Sequence, residues 1–287
     1  MNNQFKGRFD HTNPQRIISN SKSQAAQDLF VIAMSNAKQN GTFLEIGGYH
    51  PLASSNTYLL EHELEWHGHS IDILDSSKTL GLEQTAWMTF YNNIKADHWP
   101  QFPSNLDELP YEIKQECLDI HGYEQWVGPL VGADLGWEKI RPNTQFHQAD
   151  ALNFDYSTIP NTYDYLQIDI DPPIANLRLL EKIIGTVRAS IITFEHDAWI
   201  NTKDSLETQS QSRRLLQQNG YELLINNVCI HPNWFANNGI TLPTTDPIVF
   251  EDWWVDPDII PASVRDLYRW VSDLTFLKTP DLILFSN

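Results

Sequence analysis

A short apolar stretch that ends in two glycines is the feature that most constrains the fold. Residues 43–46 are apolar except for Glu45, and Gly47 and Gly48 follow directly. This pattern predicts a buried strand, a tight turn and the start of a helix. A glycine at a strand end lets the backbone approach a ligand closely, because it has no Cβ. The stretch alone leaves two interpretations open, a plain connection and a ligand-binding crevice, since it lacks the G-x-G-x-x-G pattern.

Segments with strand-like and helix-like patterns alternate along the rest of the chain. Predicted strands occupy residues 43–46, 70–73, 163–170, 189–194, 221–230 and 248–255. Predicted helices occupy residues 24–40, 54–66, 174–184, 202–218 and 261–274. Strands that alternate with helices pair in parallel, with helices on both faces of the sheet. The chain is therefore predicted to be an α/β protein with a doubly wound, mostly parallel sheet.

Two blocks of the sequence carry a resemblance to a known family. The first contains SQAAQDLF from Ser23, FLEIG from Phe43, SNTYLLE from Ser55 and WHGHSID from Trp66. The second contains YDYLQIDID from Tyr163 and IITFEHD from Ile191. In order and spacing these blocks resemble the FkbM-type methyltransferases, a branch of the class I S-adenosylmethionine-dependent family. The chain departs from the family pattern at residues 48–51 and at Pro172-Pro173.

The resemblance implies a Rossmann-like class I methyltransferase fold that binds S-adenosylmethionine as its cofactor. It also implies a seven-stranded sheet, in which a third strand lies near residues 146–151 and the last strand runs antiparallel to its neighbours. The cofactor-binding residues that the resemblance implies are Glu45, Gly47, Gly48, Asn56, Asp72, Asp150, Ala151 and Asp169.

Two acids of this set have a chemical role that can be stated. Asp72 ends the predicted second strand, where a carboxylate can accept both hydrogen bonds of a ribose diol. Its alternative role is to form a turn. The resemblance implies that Asp150, after the third strand, meets the adenine amino group, and its alternative role is to cap a helix or a turn.

Five ionisable residues follow two neighbouring predicted strands. Asp169 and Asp171 end one strand, and Glu195, His196 and Asp197 end the next. Because parallel strands open on one edge of a sheet, these side chains are expected to converge beside the glycine turn. Charges gathered there need a cation, a ligand or water to offset their desolvation. The alternative interpretation is solvated charge at strand ends.

Two mechanisms for activating a substrate hydroxyl would use these residues. His196 can remove the proton as a general base, because the pKa of histidine lies near neutrality. Asp169 and Glu195 are further catalytic candidates. Alternatively, a divalent ion such as Mg²⁺, held by Asp169, Glu195 and Asp197, lowers the pKa of the hydroxyl. The histidine is preferred, since the resembled family does not generally require a metal.

Other parts of the chain lie outside this compact pattern. Residues 1–22 are polar and form a predicted N-terminal arm, and residues 23–287 form a single predicted methyltransferase domain. Residues 74–142, rich in aromatic residues and proline, form a predicted helical and aromatic insertion after the second strand. This insertion is either a structural elaboration or a substrate lid. Residues 256–287 form a predicted C-terminal extension.

The formal net charge of −18 disfavours nucleic acid and anionic membranes as partners, because both attract cation-rich surfaces. No apolar run approaches the length of a membrane span, and the start lacks a signal peptide, so a cytoplasmic protein is expected. Cys117 and Cys229 are expected to be reduced thiols. His67 and His69 are expected at the surface. A small-molecule substrate fits these observations best, and whether the chain forms a homo-oligomer is left open.

The leading functional hypothesis is methyl transfer from S-adenosylmethionine to an oxygen of a small molecule, such as a sugar or a glycoside. One alternative is a metal-assisted O-methyltransferase. The other is a protein that binds S-adenosylmethionine or S-adenosylhomocysteine without catalysis. The second alternative is motivated by His50-Pro51 and Pro172-Pro173, which stand where the family usually carries other residues.

Overall fold

The computed structural model describes residues 20–23, 25–51, 54–73, 75, 137–230 and 248–266. The helices are α1 Gln27–Met34, α2 Tyr58–Leu64, α3 Trp137–Ile140, α4 Pro173–Ile183, α5 Lys203–Gln218 and α6 Ala262–Arg265. The strands are β1 Thr42–Ile46, β2 His67–Asp72, β3 Thr144–Gln148, β4 Thr162–Ile168, β5 Arg188–Glu195, β6 Glu222–Ile230 and β7 Ile248–Val255. Within these described ranges, no helix has both the length and the apolar character needed to cross a membrane.

One seven-stranded sheet runs through the described residues, in the order β3-β2-β1-β4-β5-β7-β6. β7 is antiparallel to both of its neighbours, and all the other adjacent strands pair in parallel. The mostly parallel sheet and its antiparallel last strand are therefore confirmed. The strand order reverses beside β1, because the chain moves outward to β3 and returns on the other side of β1 as β4. Sheets of this kind bind ligands at such a reversal, outside the carboxyl ends of the strands.

Helices cover both faces of the sheet, as predicted. α1 and α2 pack on one face, where Phe30 stacks on Trp253 with ring centroids 4.6 Å apart. α4 and α5 pack on the other face, and there Leu180 and Leu216 share a buried cluster with Trp254. Trp253 and Trp254 are consecutive on β7, so the two-residue period of a strand sends one ring to each core. The doubly wound fold is thus confirmed.

The connection between α2 and β2 differs from the prediction. The helix ends at Leu64, because Glu65 takes a left-handed backbone conformation with φ 58°. β2 then begins at His67, three residues before the predicted strand. Gly68 lies within β2 opposite Phe43, and a Cβ on it would lie 2.1 Å from the carbonyl oxygen of Phe43. Close packing of the two strands therefore requires glycine at this position.

Several predictions lie outside the described residues. They concern most of the N-terminal arm, residues 76–136 of the insertion, which include Cys117, and residues 267–287 of the C-terminal extension. The last residues of the predicted insertion pack against the sheet. Trp137 of α3 stacks on Phe146 of β3, with ring centroids 4.5 Å apart. The segment that leads into β3 thus belongs to the framework of the site.

Candidate functional site

The carboxyl ends of β1 and β4 meet at the reversal of the strand order. Gly47 follows β1 with φ 84°, and its N–H donates to the carbonyl of Ile71 at 2.9 Å. Asp169 follows β4, and its N–H donates to the carbonyl of Ile46 at 3.0 Å. A Cβ on Gly47 would lie 1.6 Å from the carbonyl oxygen of Asp169. Only glycine therefore allows these two strand ends to approach so closely.

The turn after Gly47 reaches Asp72 at the end of β2. Gly48 packs on Ser70, whose hydroxyl oxygen would lie 2.0 Å from an added Cβ. Tyr49 has a left-handed φ of 46°, and its N–H donates to Oδ2 of Asp72 at 2.8 Å. Three predicted cofactor residues, Gly47, Gly48 and Asp72, thus lie together at one edge of the sheet. Asp72 has the turn role named as its alternative, and its ribose role stays a prediction.

Glu45 is buried beneath the glycine turn, with only 1% of its surface exposed. Its carboxylate accepts a hydrogen bond from the backbone N–H of Asn56. Burial raises the pKa of Glu45, and the charge of Arg141 opposes that shift. Asn56 is buried as well, and its side-chain oxygen has no hydrogen-bond partner among the described residues. These two predicted cofactor residues are therefore neighbours, and Asn56 presents an acceptor that a ligand can fill.

Asp150 and Ala151 follow β3 beside the end of β2. The N–H of Ala149 donates to the carbonyl of Asp72 at 2.8 Å, so the two strand ends stay paired. The side chain of Asp150 accepts the N–H of Leu152 at 2.9 Å. Asp150 thus holds a turn, which was its alternative role, and its adenine contact stays a prediction.

Four of the five ionisable residues after β4 and β5 converge in space. Asp169 and Glu195 are half-buried and hydrogen-bonded to each other, and Glu195 also bonds Asp197. Asp171 and Asp72 lie near enough for their charges to raise the pKa of Asp169. We call Asp169, Asp171, Glu195 and Asp197 the carboxyl cluster. It stands directly beside Gly47, at the edge where sheets of this kind bind ligands.

Burial raises the pKa of every member of the carboxyl cluster. Burial raises the pKa of Asp169 to about 6, a hydrogen bond from Glu195 opposes that shift, and the charge of Asp197 adds to it. Burial and the charge of Asp169 raise the pKa of Glu195 well above its ordinary value. The hydrogen bond between the two carboxyl groups lowers the pKa of Asp169 and raises that of Glu195. A carboxylate with a pKa near 6 can accept the proton of a bound hydroxyl.

Glu251 on β7 is an acid of the site that the sequence interpretation did not single out. It lies opposite Glu195 in the antiparallel register and is 2% exposed. The indole N–H of Trp253 donates to its carboxylate. Burial raises the pKa of Glu251 well above its ordinary value, and the charge of Asp169 adds to the shift. The available signal was a pair of adjacent acids, Glu251 and Asp252, inside an otherwise apolar strand.

His196 turns away from the carboxyl cluster. Its ring is fully buried, and Nδ1 accepts the N–H of Ala198 at 3.2 Å. Nε2 lies 3.6 Å from Oδ1 of Asp252. Nε2 also lies 3.4 Å from the side-chain nitrogen of Gln209. Both ring nitrogens therefore face protein groups, and neither faces the carboxyl cluster.

A buried polar network surrounds the His196 ring. Arg213 binds Asp252 through two nitrogens, at 2.7 and 2.8 Å, and also donates to Asn227 at 2.7 Å. Burial would raise the pKa of Asp252, but the hydrogen bonds from Arg213 and His196 outweigh it and lower the pKa to about 2. His196 therefore lies beside a permanently charged pair within the framework of the fold.

Metal ligation finds no support in this part of the chain. Among the residues that the structure describes, no group of three or more His, Cys, Asp or Glu side chains is arranged to hold a metal ion. Asp169 and Glu195 bond each other instead. His67 is exposed, as expected, whereas His69 is half-buried and its Nδ1 lies 2.9 Å from Nε2 of His147. The surface prediction for His69 is therefore wrong, because β3 covers it.

Two further residues near the site carry no sequence motif. Trp199 is 37% exposed, and its indole N–H donates to Asp197 at 2.9 Å. Its ring therefore stands at the rim of the carboxyl cluster. Arg141 is fully buried and bonds the segment after β1. The signal for Arg141 was an arginine in the segment before the third strand, and no local pattern names its partners.

Comparisons with solved structures find only distant likenesses. No family model and no curated protein matches the chain, so the FkbM-type resemblance stays a prediction. A Precorrin-6y C5,15-methyltransferase from Geobacter metallireducens is 10% identical, with 82% of this chain and 89% of that chain covered and a TM-score of 0.38. A SAM dependent methyltransferase from Aquifex aeolicus is 10% identical, with coverages of 86% and 99% and a TM-score of 0.35.

A cyclopropane-fatty-acyl-phospholipid synthase-like protein from Lactobacillus casei is 11% identical to the chain. The alignment covers 86% of this chain and 100% of that chain, with a TM-score of 0.40. These likenesses are low in both sequence and coordinates. The strand order of the chain itself remains the ground for its fold.

Proposed function

We propose that the chain is an S-adenosylmethionine-dependent methyltransferase that methylates a hydroxyl oxygen of a small molecule, such as a sugar or a glycoside. The observation that carries the proposal is the meeting of Gly47, Asp72 and Asp169 at the reversal of the strand order, where sheets of this kind bind ligands. The sequence resemblance supports the donor and the reaction. A small acceptor is proposed because the net charge of −18 disfavours polyanions.

The residues at this edge fit the proposed donor. Asp72 would accept hydrogen bonds from the ribose hydroxyls, and the buried side-chain oxygen of Asn56 would accept one from an N–H of S-adenosylmethionine. When bound, S-adenosylmethionine supplies an electrophilic methyl group on a positively charged sulfur. No lysine or arginine among the described residues forms an ion pair with Asp169, Glu195 or Asp197. A positively charged ligand would therefore offset the cost of burying these carboxylates.

Asp169 is the proposed base for the acceptor hydroxyl. Its carboxylate stands at the end of β4 and is ionised at neutral pH, since its pKa is about 6. Taking up the hydroxyl proton would leave the acceptor oxygen with the electron pair that attacks the methyl group. Glu195 is hydrogen-bonded to Asp169 and holds it in place. The charge on Asp169 is thus directed at the crevice.

Calorimetry with S-adenosylmethionine and S-adenosylhomocysteine tests the cofactor first. Transfer of a labelled methyl group to a panel of sugars and glycosides then tests the reaction. Asp169→Asn is expected to lower turnover at saturating donor by roughly a hundredfold or more, beyond any loss of donor affinity that follows from removing its charge. Asp258→Asn is the matched control, because Asp258 is exposed on the loop after β7. It should behave as the wild-type protein does.

Each outcome of this experiment separates the hypotheses. Absence of donor binding would reject the proposal. Tight binding of both cofactor forms without turnover on any acceptor would favour the non-catalytic alternative. Activity that a chelator abolishes and Mg²⁺ restores would favour the metal-assisted alternative. Full activity of Asp169→Asn would remove Asp169 as the base.

An amine acceptor is a second candidate, and the carboxyl cluster favours it. Its carboxylates form no ion pair with the described lysines and arginines, so a cationic acceptor would also be attracted to the crevice. Trp199 at the rim adds an aromatic face that attracts cations. Including primary and secondary amines in the acceptor panel distinguishes the two. Transfer to amines alone would replace the hydroxyl as the acceptor class.

A further inference from the structure

Arg141 lies behind the turn that follows β1, and its side chain is fully buried. It donates from Nε to Glu61 at 2.6 Å, from Nη2 to Thr57 at 2.7 Å, and from Nη1 to Ser55 at 2.9 Å and to the carbonyl of Pro51 at 3.3 Å. These partners stand 80 to 90 positions away in the sequence. A buried charge is costly unless it is paired and hydrogen-bonded, and here every hydrogen bond of the side chain is directed at one short segment or at α2.

Glu61 is the fixed end of this arrangement. It lies on α2 and accepts two further hydrogen bonds, from the Thr144 hydroxyl at 2.6 Å and from the N–H of Asn143 at 2.8 Å. These bonds tie Glu61 to the start of β3. The guanidinium of Arg141 is therefore anchored to the framework on one side, and its two Nη atoms are presented to the segment after β1.

That segment carries the candidate cofactor residues Gly47, Gly48 and Asn56. We call residues 47–51 and 54–57 the donor loop. Arg141 contacts the donor loop on both sides of Asn56, through Ser55 and Thr57. The position of the unfilled acceptor on Asn56 therefore depends on Arg141.

Ser55 transmits this contact to its neighbours. Its hydroxyl oxygen accepts from Arg141 and also accepts the N–H of Tyr58 at 3.1 Å, where α2 begins. The same hydroxyl donates to Oε1 of Glu45 at 3.5 Å. One arginine thus links the start of α2, the donor loop and the buried acid of β1.

We propose that Arg141 is a positioning residue, which holds the donor loop in its cofactor-binding shape without contacting the cofactor. The inference rests on the proposed function, because it concerns the same cofactor site. The competing explanation is that Arg141 only neutralises Glu61. The two explanations predict different effects of lysine at position 141, because an ammonium keeps the positive charge but cannot reproduce the planar fork of a guanidinium.

Three variants separate these explanations. Arg141→Lys keeps the charge, Arg141→Met removes it, and the double variant Arg141→Met with Glu61→Gln removes the charge of both partners, so that no unpaired buried ion remains. Arg188→Met is the matched control, because it breaks another arginine–carboxylate pair, with Asp256, at the amino end of β5. Thermal unfolding identifies the variants that are folded.

Calorimetry with S-adenosylhomocysteine is the first readout. We expect Arg141→Lys and the double variant to bind it at least tenfold more weakly than the wild-type protein, and Arg188→Met to stay within twofold. If Arg141 only neutralised Glu61, the folded double variant would regain the wild-type affinity. That result would overturn the proposal.

Hydrogen exchange provides a readout that needs no cofactor. The amides of Thr57 and Tyr58 both point to the Ser55 hydroxyl, at 3.4 and 3.1 Å, so we expect them to exchange faster in the double variant and unchanged in Arg188→Met. If the wild-type protein does not bind S-adenosylhomocysteine, the proposed function fails. Exchange at these two amides then still shows whether Arg141 holds the donor loop in place. Wild-type exchange rates there would overturn the positioning role.

Discussion

Replacing Gly47 by alanine should force apart the ends of β1 and β4. The added Cβ would lie 1.6 Å from the carbonyl oxygen of Asp169. Close contacts between carbon and oxygen are about 3.3 Å or longer, so one strand end must move by about 1.7 Å. The φ of 84° at this position adds a cost of about 1–2 kcal/mol for alanine.

A movement of that size breaks two backbone hydrogen bonds. One joins Gly47 to Ile71 at 2.9 Å, and the other joins Asp169 to Ile46 at 3.0 Å. Each contributes about 0.5–1.5 kcal/mol to stability. Together with the backbone strain, Gly47→Ala is expected to lower the free energy of unfolding by roughly 2–5 kcal/mol.

Urea unfolding followed by circular dichroism measures this difference. Gly185→Ala is the matched control, because no atom lies within 4 Å of its added Cβ. Its free energy of unfolding should equal that of the wild-type protein or exceed it by up to about 1 kcal/mol, since alanine restricts the unfolded chain. If Gly47→Ala unfolds with the same free energy as Gly185→Ala, the reasoning about the strand ends is refuted.

Three further predictions concern single side chains. Asp72→Ala should weaken binding of S-adenosylhomocysteine by about 1.5–3 kcal/mol, which calorimetry measures, and unchanged affinity would remove Asp72 from the cofactor site. Burial lowers the pKa of His50 from 6.5 to about 4, so on acidification the unfolded chain binds this proton before the folded chain does. The free energy of unfolding should therefore fall as the pH drops from 6.5 to about 4. Urea unfolding at each pH should show a smaller fall in His50→Asn. Arg213→Met removes the two arginine hydrogen bonds of the buried Asp252 and should cost about 3 kcal/mol of unfolding free energy, whereas Arg214→Met, at an exposed neighbour, should cost almost nothing. Equal losses would contradict the pairing.

The central strands were predictable because their physical signal is local. β4 and β5 are mostly buried on both faces and are rich in aromatic and aliphatic residues, with Asp164 and Gln167 as polar exceptions in β4. The end of α2 was less predictable, since Trp66 looks like a further apolar position of the helix. Its indole instead fills the space beside Gly41, where an added Cβ would lie 2.4 Å away. Tertiary packing, and not helix propensity, set that boundary.

The buried partners of the site were not predictable from spacing. Arg141 and Glu61 stand 80 positions apart, and neither belongs to a pattern that names the other. Glu251 falls in the last strand, whose order relative to β5 follows only from the whole topology. Long-range pairs of this kind follow once the sheet order is known, because the order decides which strand ends are neighbours.

His196 shows what the strand period could have added. Glu195 ends β5, and successive side chains of a strand point in opposite directions. Because Glu195 faces Asp169, the side chain of His196 must point to the opposite side of the strand, where its nitrogens face Asp252 and the N–H of Ala198. Asp197 returns to the side of Glu195 through a left-handed residue with φ 50°. The alternation therefore assigns the two acids to the crevice and the histidine to the framework, which is why Asp169 is the proposed base.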